Sequence, residues 1–141
     1  EIVAAVHVPV IANGDITDVG TARRAAALSG ASGVMIGRGA RGRPWVLAEV
    51  AAAMGQGTAP VVPQGAALAD LVAGHYEAML SFYGRDLGLR VARKHLGWYM
   101  DAAGTGESLR RAVLTASAPA AVLERLPDAM AGGVQIARAA A

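Results

Sequence analysis

The sequence predicts an α/β segment followed by an all-α segment. In the first third of the chain, two short runs of apolar and β-branched residues each end in a glycine-containing loop, which is typical of parallel strands in an α/β fold. In the remainder, apolar residues recur at spacings of three and four, which indicates helices. Hydrophobic residues make up 54% of the chain but aromatic residues only 4%. Alanine is the commonest residue, and it favours helices over strands.

Composition and charge exclude several classes of protein. The chain has 141 residues and no cysteine, so it can form no disulfide, thiolate metal site or cysteine nucleophile. The net charge of +2 is too small by itself to indicate nucleic-acid binding. The sequence shows neither a membrane-spanning apolar run nor the layout of a signal peptide, so we expect a cytoplasmic protein without membrane contact. Because the sequence does not begin with methionine, we expect a fragment of a longer protein.

The first predicted strand and helix occupy residues 8–30. Residues 8–12 (VPVIA) form a continuous apolar run, as expected of a parallel strand that is buried on both faces. The run ends at Asn13-Gly14-Asp15, which favours a turn. Thr17 or Asp18 can then cap a helix that ends at Gly30.

A second strand and helix follow in the same order, again joined by a short loop. Residues 33–36 (GVMI) predict a strand that ends at Gly37-Arg38-Gly39. Pro44 is suited to the first turn of a following helix. Residues 1–54 therefore predict two consecutive βα units of a parallel α/β fold.

The segment 55–65 contains several glycines and prolines and is the predicted linker between two domains. Residues 66–131 then predict a helical bundle, and residues 132–141 an alanine-rich tail. The three later helices are expected at about 89–101, 107–117 and 120–130. The first bundle helix is expected to bury one apolar face that comprises Leu68, Leu71, Val72, His75, Tyr76, Met79, Leu80 and Tyr83.

Both strand ends carry residue types that can hold a phosphate group. A glycine loop exposes backbone N–H groups, and the N-terminus of the next helix adds a partial positive charge. Arg38, between two glycines, can add a charge-assisted hydrogen bond. A glycine that follows a strand can equally serve only to permit a tight turn, so the spacing alone leaves both interpretations open.

The second bundle helix carries a cluster of cations. Arg90, Arg93 and Lys94 lie along one side of it, with Asp101 further along and His95 on another side. Such a face can contact the phosphates of a folded RNA, or it can simply be a solvated helix surface. We expect no metal site, because no group of histidine and carboxylate residues has the spacing of metal ligands.

Three motifs together resemble the tRNA-dihydrouridine synthase family. Residues 8–16 (VPVIANGDI), 33–40 (GVMIGRGA) and 42–45 (GRPW) resemble the end of that family's catalytic barrel. Residues 93–99 (RKHLGWY) resemble the helical-domain motif of its bacterial B-type branch. The resemblance extends over roughly residues 1–100, and the order and spacing of the motifs make it specific.

The resemblance implies that residues 1–54 are the last two βα units of a TIM barrel and that the helical bundle binds tRNA. It implies an oxidoreductase that uses FMN and NADPH to reduce uridine in tRNA to 5,6-dihydrouridine. The family's catalytic cysteine would lie upstream of this chain, so we expect the fragment to be inactive alone. The implied FMN-phosphate ligands are Asn13, Gly14, Asp15, Gly37 and Arg38. The implied tRNA-binding residues are Arg90, Arg93, Lys94 and His95.

Two other functions account for part of the sequence. An FMN-dependent barrel that oxidises or reduces a small molecule, similar to dihydroorotate dehydrogenase, explains the two glycine loops but not the basic helix. A non-catalytic RNA-binding module explains the basic helix but not the loops.

Overall fold

The structure is a computed structural model that describes residues 2–132. The chain divides into two compact units between Val62 and Pro63, within the segment 55–65 predicted as a linker. None of the helices in the described range is long and apolar enough to cross a membrane.

The first unit contains two βα repeats around a parallel pair of strands. The strands pair in the register Ile11 with Gly33, Ala12 with Val34 and Asn13 with Met35. Its elements are α1 (Ile2–Ala5), β1 (Ile11–Asn13), α2 (Val19–Ser29), β2 (Gly33–Met35), a 3-10 turn (Arg38–Ala40) and α3 (Val46–Ala53). Helix α3 begins two residues after Pro44, close to the position that the proline predicts.

Local hydrogen bonds explain where α2 begins and ends. Asp18, one of the two predicted caps, is the N-cap: its carboxylate accepts a hydrogen bond of 2.7 Å from the backbone N–H of Thr21. The Thr21 hydroxyl in turn accepts a bond of 3.1 Å from the N–H of Asp18, which completes a capping box. The backbone hydrogen bond from Thr21 lowers the pKa of Asp18 more than any other effect does. Gly30 ends the helix in the left-handed conformation, at φ 66°.

The prediction that the first strand is buried on both faces is wrong for this structure. Val8 is 68% exposed and Ile11 is 55% exposed. The reason is that the core lies against only one face of the sheet: Val34 of β2 packs on it, whereas Met35, which points to the opposite face, is exposed. The core of this unit consists of Ile16, Ala22, Val46 and Val50 and lies between the sheet and its helices.

The second unit is entirely helical. Its elements are α4 (Gly65–Tyr83), α5 (Arg85–Ala103), α6 (Glu107–Thr115), α7 (Pro119–Leu123) and α8 (Leu126–Met130). Helices α4 and α5 approach closely at Gly88, where an added Cβ would lie 2.9 Å from the Cα of Leu80. This glycine lies inside α5, which begins four residues earlier than predicted.

Two details of the helical prediction are corrected. The single helix expected over 120–130 is instead α7 and α8, separated by a turn at Glu124 and Arg125. Pro127 has no N–H group to continue the hydrogen-bond ladder of a helix that began at Pro119. In α4 the predicted apolar face is mostly buried, but Leu71 and Tyr83 are exposed. Of the predicted tail, residues 133–141 lie outside the described residues.

Candidate functional sites

The two glycine loops of the first unit lie side by side. Each follows one strand of a parallel pair, and the carboxyl ends of parallel strands meet at the same edge of a sheet. An open cavity of about 370 Å³ lies at this edge. It is lined by Asn13, Gly14, Asp15, Ile16, Thr17, Met35, Gly37, Arg38 and Gly39. The structure thus brings all five residues predicted to hold a phosphate to one cavity.

An ion pair connects the first glycine loop (residues 13–15) to the second (residues 37–39). Nη2 of Arg38 donates a hydrogen bond of 2.6 Å to Oδ1 of Asp15. Both side chains are largely exposed, at 73% and 86% of their surface. The pair therefore lies at the cavity mouth, where both groups are accessible to a ligand.

Backbone packing also holds the loops together, at a residue that the sequence patterns did not single out. A Cβ added to Gly39 would lie 2.3 Å from the carbonyl oxygen of Ile16 and 2.8 Å from the Cα of Thr17. Only glycine permits this approach. The signal in the sequence was the second glycine of Gly37-Arg38-Gly39, which spacing alone could not distinguish from a turn residue.

The loops fit an oxyanion such as a phosphate ester. A Cβ at Gly14 would meet nothing within 4 Å, and the nearest atom to one at Gly37 would be Sδ of Met35 at 3.9 Å. Open space therefore lies in front of the backbone at both glycines. Arg38 lines the same cavity, and its guanidinium has five N–H donors, one of which is bonded to Asp15.

In the second unit, α5 presents a row of exposed cations. The side chains of Arg90, Arg93 and Lys94 are all exposed, and we call these three residues the basic row. Asp101 on the same helix is paired instead with Arg110 of α6, whose Nη1 lies 2.6 Å from the Asp101 carboxylate. The basic row therefore stays available to an anionic partner.

His95, the fourth residue predicted to contact tRNA, lies in a different environment. Its ring is in edge contact with those of His75 and Trp98, at centroid distances of 5.1 and 5.0 Å. His75 is hydrogen-bonded through Nδ1 to the hydroxyl of Tyr99, at 3.1 Å. Burial, together with the positive charge available on His75 and on Lys94, lowers the pKa of His95. The structure therefore places His95 in a half-buried aromatic cluster beside the basic row.

Within residues 2–132, no three histidine or carboxylate side chains lie close enough together to hold a metal ion.

Comparison with known proteins identifies the family. The sequence model of the dihydrouridine synthase (Dus) family matches residues 1–134. A probable tRNA-dihydrouridine synthase of Rhodobacter capsulatus is 58% identical over 126 residues, which is 89% of this chain and 38% of that relative. A tRNA-dihydrouridine synthase B of Xanthomonas axonopodis pv. citri is 42% identical over 128 residues, covering 91% of this chain and 39% of that relative.

A probable tRNA-dihydrouridine synthase of Rickettsia conorii is 42% identical over 123 residues, covering 87% of this chain and 37% of that relative. The chain thus spans less than two fifths of the length of these relatives. The match includes the two strands, both glycine loops and all the described helices of the second unit. This chain belongs to the dihydrouridine synthase family.

Proposed function

We propose that this chain is part of a tRNA-dihydrouridine synthase that reduces uridine in tRNA with NADPH and FMN. In this proposal the first unit is the end of a TIM barrel and the second unit binds tRNA. The observation that carries it is the convergence of both glycine loops and Arg38 on one open cavity. The basic row on α5 supports the second half of the proposal.

The loops would hold FMN by its phosphate. Asn13, Gly14, Asp15, Gly37 and Arg38 line the cavity. Their backbone N–H groups and the Arg38 guanidinium would supply the donors that a phosphate ester prefers. When bound, the flavin supplies hydride transfer to the uracil ring. The chain contains no cysteine, so a cysteine that protonates the uracil would come from a part of the protein outside these residues.

The basic row would bind the tRNA backbone. Lysine and arginine side chains that neutralise phosphates release counterions, and this makes RNA affinity depend steeply on salt. A uridine stacked inside folded tRNA has to leave its stack to reach a flavin. Phosphate contacts outside the flavin cavity would hold the tRNA while the base is displaced.

The function is tested by mapping dihydrouridine in tRNA from cells that lack the gene. We expect dihydrouridine to disappear at specific positions and to return when the intact gene is restored. A second complementation with the Arg38→Gln gene should restore less dihydrouridine, because the flavin is retained less well. Unchanged tRNA, in cells with no second synthase for the same positions, would contradict the proposal and favour a flavin enzyme that acts on a small molecule.

A further inference from the structure

Asp15 differs chemically from the other residues that line the loop cavity. It is an acidic side chain at the mouth of a cavity whose other features suit an anion. We propose that the Asp15 side chain is a positioning group, which orients Arg38 toward the flavin phosphate and whose carboxylate does not itself contact that phosphate. This inference rests on the proposed function, since it concerns how FMN is held.

Electrostatics exclude a direct contact between the Asp15 carboxylate and a phosphate. The Asp15 carboxylate, paired with the Arg38 guanidinium, and a phosphate ester are both negatively charged, and like charges within hydrogen-bond distance repel each other. The carboxylate can therefore favour phosphate binding only through a cation. That cation is Arg38, whose Nη2 lies 2.6 Å from Oδ1 of Asp15.

The ion pair leaves Arg38 able to bind a second anion. The guanidinium has five N–H donors, and the structure shows one 2.6 Å bond from Nη2 to Asp15. Because the guanidinium is planar, a carboxylate bound to one side of it holds the remaining N–H groups in a defined direction. An arginine side chain held in this way loses less conformational freedom when the phosphate binds.

The backbone beneath Asp15 is fixed well enough to serve as an anchor. The next residue, Ile16, is buried in the core of the first unit at 3% exposure. The carbonyl of Ile16 lies directly against Gly39, next to Arg38 in the chain. Asp15 itself has φ 42°, a left-handed conformation that asparagine also adopts readily. An Asp15→Asn variant therefore keeps the loop conformation and removes only the charge.

The ion pair between Asp15 and Arg38 contributes little to the stability of the fold. Both side chains are mostly exposed, and exposed ion pairs contribute little to the free energy of unfolding. An effect of the pair on ligand affinity is therefore separable from an effect on folding.

The test measures the affinity of the full-length synthase for FMN and for riboflavin, which lacks the phosphate. The variants are Asp15→Asn, Arg38→Gln and the double variant. The control is Asp70→Asn, which removes the same charge from an exposed position on α4. We expect Asp15→Asn to weaken FMN binding by about three- to tenfold, because Arg38 regains conformational freedom that phosphate binding must then remove, with riboflavin affinity unchanged. The double variant should bind FMN no more weakly than Arg38→Gln alone, because Asp15 acts only through Arg38.

Four results would overturn the assignment. Tighter FMN binding by Asp15→Asn would mean that the carboxylate only repels the phosphate. Unchanged FMN affinity, or equal weakening of FMN and riboflavin, would show that Asp15 does not orient a phosphate ligand. Additive effects in the double variant would show that it acts independently of Arg38. By contrast, a wild-type protein that binds neither flavin would overturn the proposed function itself.

Discussion

The two units of this chain bury their apolar residues to very different extents. In the first unit Val8, Ile11, Leu28, Met35 and Leu47 are exposed, and the core is small. The helical unit buries large side chains from all five of its helices. The comparison shows that neighbouring helices can bury each other's apolar faces, whereas a pair of parallel strands with two packed helices leaves apolar faces without a covering layer.

The units also differ in the chemistry that they expose. The first presents two glycine loops and an ion pair at a cavity, and the second presents a row of cations with an aromatic cluster beside it. Under the proposed function, cofactor binding belongs to the first unit and tRNA binding to the second. Variants that affect one property and spare the other test this division.

The largest effect is expected from Gly39→Ala in the full-length protein. The new Cβ would lie 2.3 Å from the carbonyl oxygen of Ile16, so the two glycine loops would have to separate. We expect loss of about 1–3 kcal/mol of stability, as for other overpacked sites, and a marked loss of bound flavin. The measurements are the thermal unfolding midpoint and the flavin content of the purified protein. Gly37→Ala is the matched control for stability only, because its Cβ would meet no atom closer than 3.9 Å but would enter the cavity proposed for the phosphate. An equal fall of the unfolding midpoint in both variants would contradict the role of close packing.

The next largest effect is expected on tRNA binding, when cations of the second unit are removed. Replacing Arg93 and Lys94 together with alanine removes two cations of the basic row. We expect weaker tRNA binding at low salt and a slope of log affinity against log salt that is smaller by about two. Flavin content should not change. The control is a double variant at two other exposed cations, Arg24→Ala with Arg111→Ala. If its slope of log affinity against log salt changed equally, tRNA affinity would depend on net charge and not on the position of the basic row.

Removing either of two buried tyrosine hydroxyl groups in the helical unit should have a smaller effect, on the free energy of unfolding. The Tyr99 hydroxyl is hydrogen-bonded to His75, whereas the fully buried Tyr76 hydroxyl has no hydrogen-bond partner among the described residues. Tyr99→Phe should therefore lower the free energy of unfolding by about 1 kcal/mol, and Tyr76→Phe should leave it unchanged or raise it. Chemical denaturation of the two variants measures the difference. The opposite order would mean that the Tyr76 hydroxyl is satisfied in solution.

The smallest expected effect is on the pH dependence of the free energy of unfolding, and it comes from two histidines of the helical unit. Burial lowers the pKa of both His75 and His95 below the ordinary value of 6.5. The unfolded chain therefore binds more protons than the folded chain as the pH falls through 6.5, and stability should decrease in that direction. A His75→Gln, His95→Gln double variant should show a flatter dependence of unfolding free energy on pH between about 8 and 5. An unchanged pH slope in the double variant would contradict this assignment to the two histidines.

Local features of this fold were predictable because they depend on neighbouring residues. A cap of α2 at Thr17 or Asp18 and its left-handed end at Gly30 follow from residue types with strong conformational preferences, although the sequence did not decide between the two caps. The break before Pro127, which divides α7 from α8, was not predicted. Both predicted strands occur, but β1 lies at Ile11–Asn13 instead of 8–12, and its predicted burial on both faces is wrong because the core covers only one face of the sheet.

The sequence by itself determined the order of the two βα units and the helical unit, the two glycine loops and the family. The tertiary structure alone decided how distant residues meet. It pairs Asp15 with Arg38, places Gly39 against Ile16 and brings His75 of α4 into contact with His95 of α5. The physical reason is that turns, caps and apolar periodicity act over a few residues, whereas these contacts join residues far apart in the chain. Such contacts form only after strands have paired and helices have packed.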